Sequence, residues 1–314
     1  MRMNYGCPYQ GSKNFLAERI IDALPSAETF VDLFAGGCAV THAALTSGRF
    51  SSFIANDIGK MPSVFLDAVY GAASGSWLRW VSGAEFDAER AKPEPERDDA
   101  LICAWSFGSN CSSYIYGWAV EPWKHALWEA RVNGDFSLLA DMGIYADDAS
   151  NRAVREHADE WGARYVAWFR KAYGKDIHVP KSVVSFARVE SLETLRRLQQ
   201  LETLALNDGI ERLEVTRADY RDVPIPKGAT VYCDPPYAAT DQGAYAGDAE
   251  FNTLTFWAWV RSCSFPVFVS EYEAPDDFMP FATFRHLSRM NYAARRPLQE
   301  HVFVHRRFKR LLAI

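Results

Sequence analysis

No Cys-x-x-Cys pair and no Cys/His cluster at zinc-ligand spacing occurs in the 314 residues. That pattern excludes the common zinc-site and dithiol redox motifs. The cysteines at 7, 38, 103, 111, 233 and 263 are scattered. Scattered cysteines fit a reducing cytosol, where a buried thiol behaves as a small hydrophobe. No apolar run approaches the ~18–20 residues of a membrane span, and residues 1–5 carry no apolar signal core. A cytoplasmic protein is therefore expected. A Gly-x-Gly-x-x-Gly fingerprint is also missing, which disfavours a dinucleotide. With 48% apolar and 24% charged residues, the composition is that of an ordinary globular chain, long enough to bury its own core. The net charge of −6 neither announces nor excludes a nucleic-acid partner, because charge can be segregated.

The first 70 residues alternate helix and strand signals. Phe15, Leu16, Ile20, Ile21 and Leu24 have helical spacing. Thr29 to Phe34 reads as a buried strand, Ala35-Gly36-Gly37 as a turn, Cys38 to Ser47 as a helix, and Phe53-Ile54-Ala55 as a second strand. Strand, glycine turn, helix, strand is the βαβ unit of doubly wound sheets. From about residue 71 the pattern changes to a Trp-rich, mostly helical insert. Leucines at 192, 195, 198, 201 and 204 recur every three residues, which drifts around an α-helix of ~3.6 residues per turn. That segment reads either as a helix with a wrapping stripe or as short turns. The α/β pattern resumes with Thr230-Val231-Tyr232-Cys233 and Pro266 to Val269, and residues 301–304 read as a late edge strand.

Four clusters carry chemistry. Asp234-Pro235-Pro236-Tyr237 directly follows an apolar strand. Two prolines remove backbone donors and fix φ, leaving a rigid, carbonyl-rich corner at the edge where open α/β sheets bind ligands. An amino-heterocycle fits it, with its amine hydrogens on Asp234 and a carbonyl and its ring on Tyr237. The alternative is a Pro-stabilised turn. Asp32 precedes Gly36-Gly37; an acid there repels phosphate and welcomes an ammonium group, or the segment is a plain βα turn. Asp57 ends the second strand, where an acid can take ribose hydroxyls or cap a helix. Tyr9-Gln10-Gly11-Ser12-Lys13 opens the first helical segment, where amides and a lysine can hold a carboxylate.

In this order the clusters resemble the D12 class of adenine-N6 DNA methyltransferases, in its alpha arrangement, to which the DNA adenine methylases belong. The pieces that match are Tyr9-x-Gly11-Ser12-Lys13, Phe30 to Gly37, Asn56-Asp57 and Asp234-Pro235-Pro236-Tyr237. Ser106-Phe107-Gly108, Ser270-Glu271-Tyr272 and Glu300-x-Val302-Phe303-Val304 extend the likeness, and the Leu-Glu-x-Leu repeats look like phage-type members. The resemblance implies a Rossmann-like α/β sheet using S-adenosylmethionine, with an inserted, mostly helical target-recognition module. It divides the chain into a catalytic part at 1–70, the insert at 71–180 and a second catalytic part at 181–314. It places Tyr9, Lys13, Asp32, Gly36, Gly37, Asp57 and Asp234 at the cofactor. Asp234, Pro235 and Tyr237 carry catalysis by the same likeness. Cys38 departs from the family's glycine motif.

The implied reaction is methyl transfer to N6 of an adenine flipped out of double-stranded DNA, with or without a cognate restriction enzyme. Residues 238–250 read either as a mobile loop beside the base or as a plain surface loop. Arg285, Arg289, Arg295, Arg296, Arg306, Arg307, Lys309 and Arg310 face Glu300 alone within 285–310, a candidate phosphate-facing surface. The Trp-rich insert reads as core, with Asn110, Ser112 and Tyr114 as possible base readers. A methyltransferase acting on RNA or a protein amide is the competing enzyme reading; those families place Asn where this chain has Asp234. A catalytically inactive cofactor- or DNA-binding remnant is the third reading.

Overall fold

The computed structural model describes residues 4–9, 11–178, 182–236, 251–287 and 297–313. In chain order the strands are β1 (Thr29–Asp32), β2 (Ser52–Asn56), β3 (Leu213–Thr216), β4 (Thr230–Cys233), β5 (Val267–Glu271), β6 (Phe278–Leu287) and β7 (Pro297–His305). The α-helices are α1 (Ala17–Ala23), α2 (Ala39–Ser47), α3 (Met61–Val69), α4 (Gly83–Arg90), α5 (Asp99–Trp105), α6 (Glu121–Val132), α7 (Ser137–Asp141), α8 (Asn151–Glu156), α9 (Ala158–Tyr173), α10 (Val183–Ala187), α11 (Glu190–Gln199) and α12 (Thr253–Ser262). The chain clusters into two units, residues 1–72 with 197–314, and residues 73–196.

All seven strands lie in the first unit, in one sheet of order β3-β2-β1-β4-β5-β7-β6. The pairs β2–β3, β1–β2, β1–β4 and β4–β5 are parallel, while β7 runs antiparallel between β5 and β6. This mixed, mostly parallel sheet is the Rossmann-like α/β architecture expected from the sequence. Strands covered on both faces should be apolar throughout, and β4 and β5 are buried along their full length. Val31, Leu33, Val231, Cys233, Val267 and Val269 meet Phe256, Trp257 and Val260 of α12 in one core. Each fully buried side chain of this size contributes about 1.5–3 kcal/mol.

Residues 301–304, read as an edge strand, belong to interior β7; β3 and β6 form the edges. Sequence periodicity marks a strand but cannot place it in a sheet. The leucine repeat resolves into α11 followed by a 3₁₀ segment over 200–206. The tighter 3₁₀ winding suits a period of three, and Leu192, Leu195, Leu198, Leu201 and Leu204 are all buried.

The second unit is helical, with an aromatic core. Trp105, Trp123 and Trp128 are fully buried. Trp123 stacks on Phe186 at 4.4 Å and donates its indole N–H to the Phe186 carbonyl at 2.9 Å. Trp80 stacks on Tyr116 and His125 and meets Trp105 edge-on. Ser82 and Glu85 close a capping box at the start of α4, satisfying amides that a helix N-terminus leaves open. The unit includes residues 181–196.

Candidate active site

The parallel strands deliver their last residues to one sheet edge, and β4 and β2 flank β1 on opposite sides, which makes a topological switch point. Asp32 ends β1, Asn56 ends β2 just before Asp57, Asp234 follows β4, and Glu271 ends β5. Asn56 ties the ends of β1, β2 and β3 together. Its amide donates to the carbonyls of Leu33 and Ala218, each at 3.1 Å, and its oxygen accepts from Thr216 and the Ala218 amide.

The glycine turn is built by short approaches. Gly36 sits at φ +46° and donates its amide to Asp57 Oδ2 at 2.9 Å. Asp57 Oδ1 accepts from the Gly59 amide at 2.8 Å, so this acid braces the turn from below and does not cap a helix. Burial raises the Asp57 pKa, opposed by those amides. The Gly37 carbonyl accepts from the Cys7 amide at 2.7 Å. A Cβ on Gly37 would lie 2.8 Å from the Cys7 carbonyl oxygen and 3.0 Å from Tyr9 Cβ, and one on Gly36 would meet the Tyr9 ring at 3.2 Å. The glycines thus admit the chain's own segment around Cys7 and Tyr9. Cys38 takes a left-handed conformation at φ +58° as α2 begins, a position that glycine fills more readily. The Gly6 amide donates to His42 Nδ1 at 3.0 Å, and burial lowers the His42 pKa to about 4.

Asp32 is 1% exposed. Its Oδ2 accepts from the Thr41 hydroxyl at 2.9 Å, while Oδ1 is buried without a hydrogen bond among the described residues. Burial raises its pKa to about 7; the Thr41 hydroxyl opposes the shift, and the charges of Asp234 and Asp57 add to it.

Lys13 is set in the turn before α1, which starts only at Ala17. Its ammonium points across the sheet edge to Asp234 Oδ1 at 2.9 Å and to Glu300 Oε1 at 3.5 Å. Burial works against its charge, but Asp234 and Glu300 outweigh burial and leave its pKa above the ordinary lysine value. Glu271 is buried and accepts from the Tyr272 amide at 2.7 Å. Burial raises the Tyr272 pKa, and the negative charge of Glu300 adds to it. The sheet edge therefore carries Asp32, Asp57, Asp234 and Glu271, with Lys13 bridging Asp234 and Glu300, an acidic edge that favours a cationic ligand.

Of the residues expected from the sequence, Lys13 and Asp234 form an ion pair, Gly36 and Asp57 share a hydrogen bond, and Tyr9 packs over Gly36. Pro235 is buried and Pro236 half-buried. Tyr237 and residues 238–250 lie outside the described residues, as do Arg289, Arg295 and Arg296. Glu300 was not among the expected site residues. Its signal was an acid sharing a strand face with Val302 and Val304, a face that is buried. In the second unit the Tyr114 hydroxyl donates to the Val81 carbonyl at 2.8 Å and its ring packs near Phe86 and Trp105. Asn110 Oδ1 accepts from the amides of Ser112 and Ser113, and Ser112 itself is exposed.

No curated protein matches the chain. Residues 9–72, which hold Tyr9, Lys13, Asp32, Gly36, Gly37 and Asp57, match the family model for D12 class N6 adenine-specific DNA methyltransferase, the same family that the motifs resemble.

Proposed function

We propose that the protein transfers a methyl group from S-adenosylmethionine to N6 of an adenine flipped out of double-stranded DNA at a specific site. The observation that carries this reading is the Asp234-Pro235-Pro236 corner at the end of β4, ion-paired to Lys13 at 2.9 Å and beside the glycine turn after β1. The residues fit the donor. Asp32 Oδ1, buried and without a hydrogen bond among the described residues, would accept from its ammonium group, Asp57 would take ribose hydroxyls, and the acidic edge would favour its sulfonium. When bound, S-adenosylmethionine supplies a methyl group already activated on a positive sulfur.

The chain's own contribution is positioning and charge. Adenine N6 is a poor nucleophile because its lone pair is delocalised into the ring. Asp234 and the Pro235 carbonyl would accept the two N6 hydrogens, favouring a pyramidal nitrogen whose lone pair points at the methyl group. Holding the two reactants in line supplies much of the acceleration. The Asp234 carboxylate offsets positive charge developing on N6. The product nitrogen is strongly acidic and sheds its proton after transfer. Tyr237 would stack on the extruded base, recovering about 1–3 kcal/mol of the unstacking cost. Residues 73–196 form a separate unit, to which we assign target recognition. Exposed Lys309 and Arg310 are assigned to phosphate contact.

The test is transfer of labelled methyl groups from S-adenosylmethionine into unmethylated double-stranded DNA, with the nucleosides separated. Label in N6-methyladenine is the expected result. Cofactor binding without label in DNA would move the acceptor to RNA or a protein amide. Neither binding nor label would leave an inactive remnant.

A further inference from the structure

We propose that Glu300 is a positioning residue, acting through Lys13 to keep the Asp234 carboxylate available as an acceptor. The inference deepens the reading above and rests on it.

Three side chains from distant parts of the chain converge here. Asp234 follows β4, Lys13 precedes α1, and Glu300 lies on β7 opposite Phe284 of β6. Glu300 is 4% exposed, and burying a carboxylate is costly unless a cation meets it. The cation is Lys13, whose ammonium lies 3.5 Å from Glu300 and 2.9 Å from Asp234. Tyr272, at the end of β5, also feels Glu300, Lys13 and Asp234. One ammonium thus serves two carboxylates, and the trio keeps a net negative charge.

This surplus matters to an acceptor. An ammonium paired with Asp234 alone would draw its lone pairs fully and compete with an incoming amine. With Glu300 taking part of that charge, Asp234 stays anchored on one side and electron-rich on the other. In this role Glu300 acts on Asp234 through Lys13.

The test compares Glu300→Gln and Glu300→Asp with the unaltered protein in three readouts. These are kcat on double-stranded DNA, S-adenosylmethionine binding by calorimetry, and acetic anhydride labelling of Lys13 read by mass spectrometry. In Glu300→Gln we expect kcat to fall about tenfold, the size of one charged hydrogen bond, with cofactor affinity changed less than about threefold and Lys13 labelled faster. Glu300→Asp keeps the charge and should recover most of the kcat and the protection of Lys13. Unchanged kcat and unchanged labelling in Glu300→Gln would overturn the proposal. Equal loss in the two variants would also overturn it, since shape and not charge would then be decisive. If Glu300→Gln fails to fold, Glu300→Asp decides by the same kcat and labelling readouts. Absence of any methyl transfer by the unaltered protein would instead overturn the functional reading, while Lys13 labelling would still report whether Glu300 holds the ammonium.

Discussion

Asp32 and His42 impose opposite pH dependences on stability. Asp32 has its folded pKa raised from 3.8 to about 7, chiefly by burial. Its contribution is fully present below pH 3.8 and is lost as pH rises through about 7. His42 has its folded pKa lowered from 6.5 to about 4, again by burial, so its contribution grows as pH rises across that interval. In Asp32→Asn the falling component disappears and the His42 rise remains. The stability difference between variant and parent, from urea unfolding, should grow with pH between about 4 and 7 and then level off. A difference independent of pH would contradict the assignment. Asp234→Ala should cost about a hundredfold or more in kcat, as removal of a group that stabilises developing charge does, while calorimetry should still detect S-adenosylmethionine.

The glycine turn between β1 and α2 is an element whose conformation is dictated by its neighbours. Gly36 is held by Asp57 and Gly37 by Cys7, while the Tyr9 ring lies against Gly36 and the Tyr9 Cβ against Gly37. Gly37→Ala places a Cβ 2.8 Å from a backbone oxygen, which flexible side chains cannot relieve. Overpacking of this kind costs about 1–3 kcal/mol, so chemical unfolding should show a loss of that size. Cofactor affinity should fall with it, because the turn would shift. Affinity and stability both equal to the parent's would show that the segment around Cys7 yields freely. The turn's existence was legible in Ala35-Gly36-Gly37. The reason for its glycines was not, since Cys7 and Tyr9 approach it from 30 residues away only when the chain folds.

For the whole molecule, the proposed function requires a net-negative chain, of charge −6, to meet DNA through segregated basic groups. Part of the basic C-terminal segment serves the fold. The Arg306 amide donates to the Asp277 carbonyl at 2.9 Å, and Arg307 donates its guanidinium to the Cys263 carbonyl. Lys309 and Arg310 are exposed. Replacing both by alanine should weaken binding to any duplex sequence and lower the slope of log affinity against log salt by about 2. An unchanged slope in a fluorescence titration would remove this segment from the DNA-binding surface.

Much of the first unit was readable along the chain, because its signals are local. Strand–glycine–helix–strand at residues 29–56 and the apolar strand before Asp234 follow from backbone preferences and burial of short segments. Their alternation was enough to place them in a mostly parallel α/β sheet. Other features were decided by tertiary structure. Strand β3 and the long β6 left no periodic mark strong enough to read, because packing partners define them. The choice of Glu300 as the second partner of Lys13 depends on β7 inserting antiparallel between β5 and β6. The raised pKa of Asp32 depends on burial beneath its neighbours. Local sequence sets which residues can take part, whereas charge pairing and desolvation arise from groups far apart in the chain and exist only once the sheet has assembled.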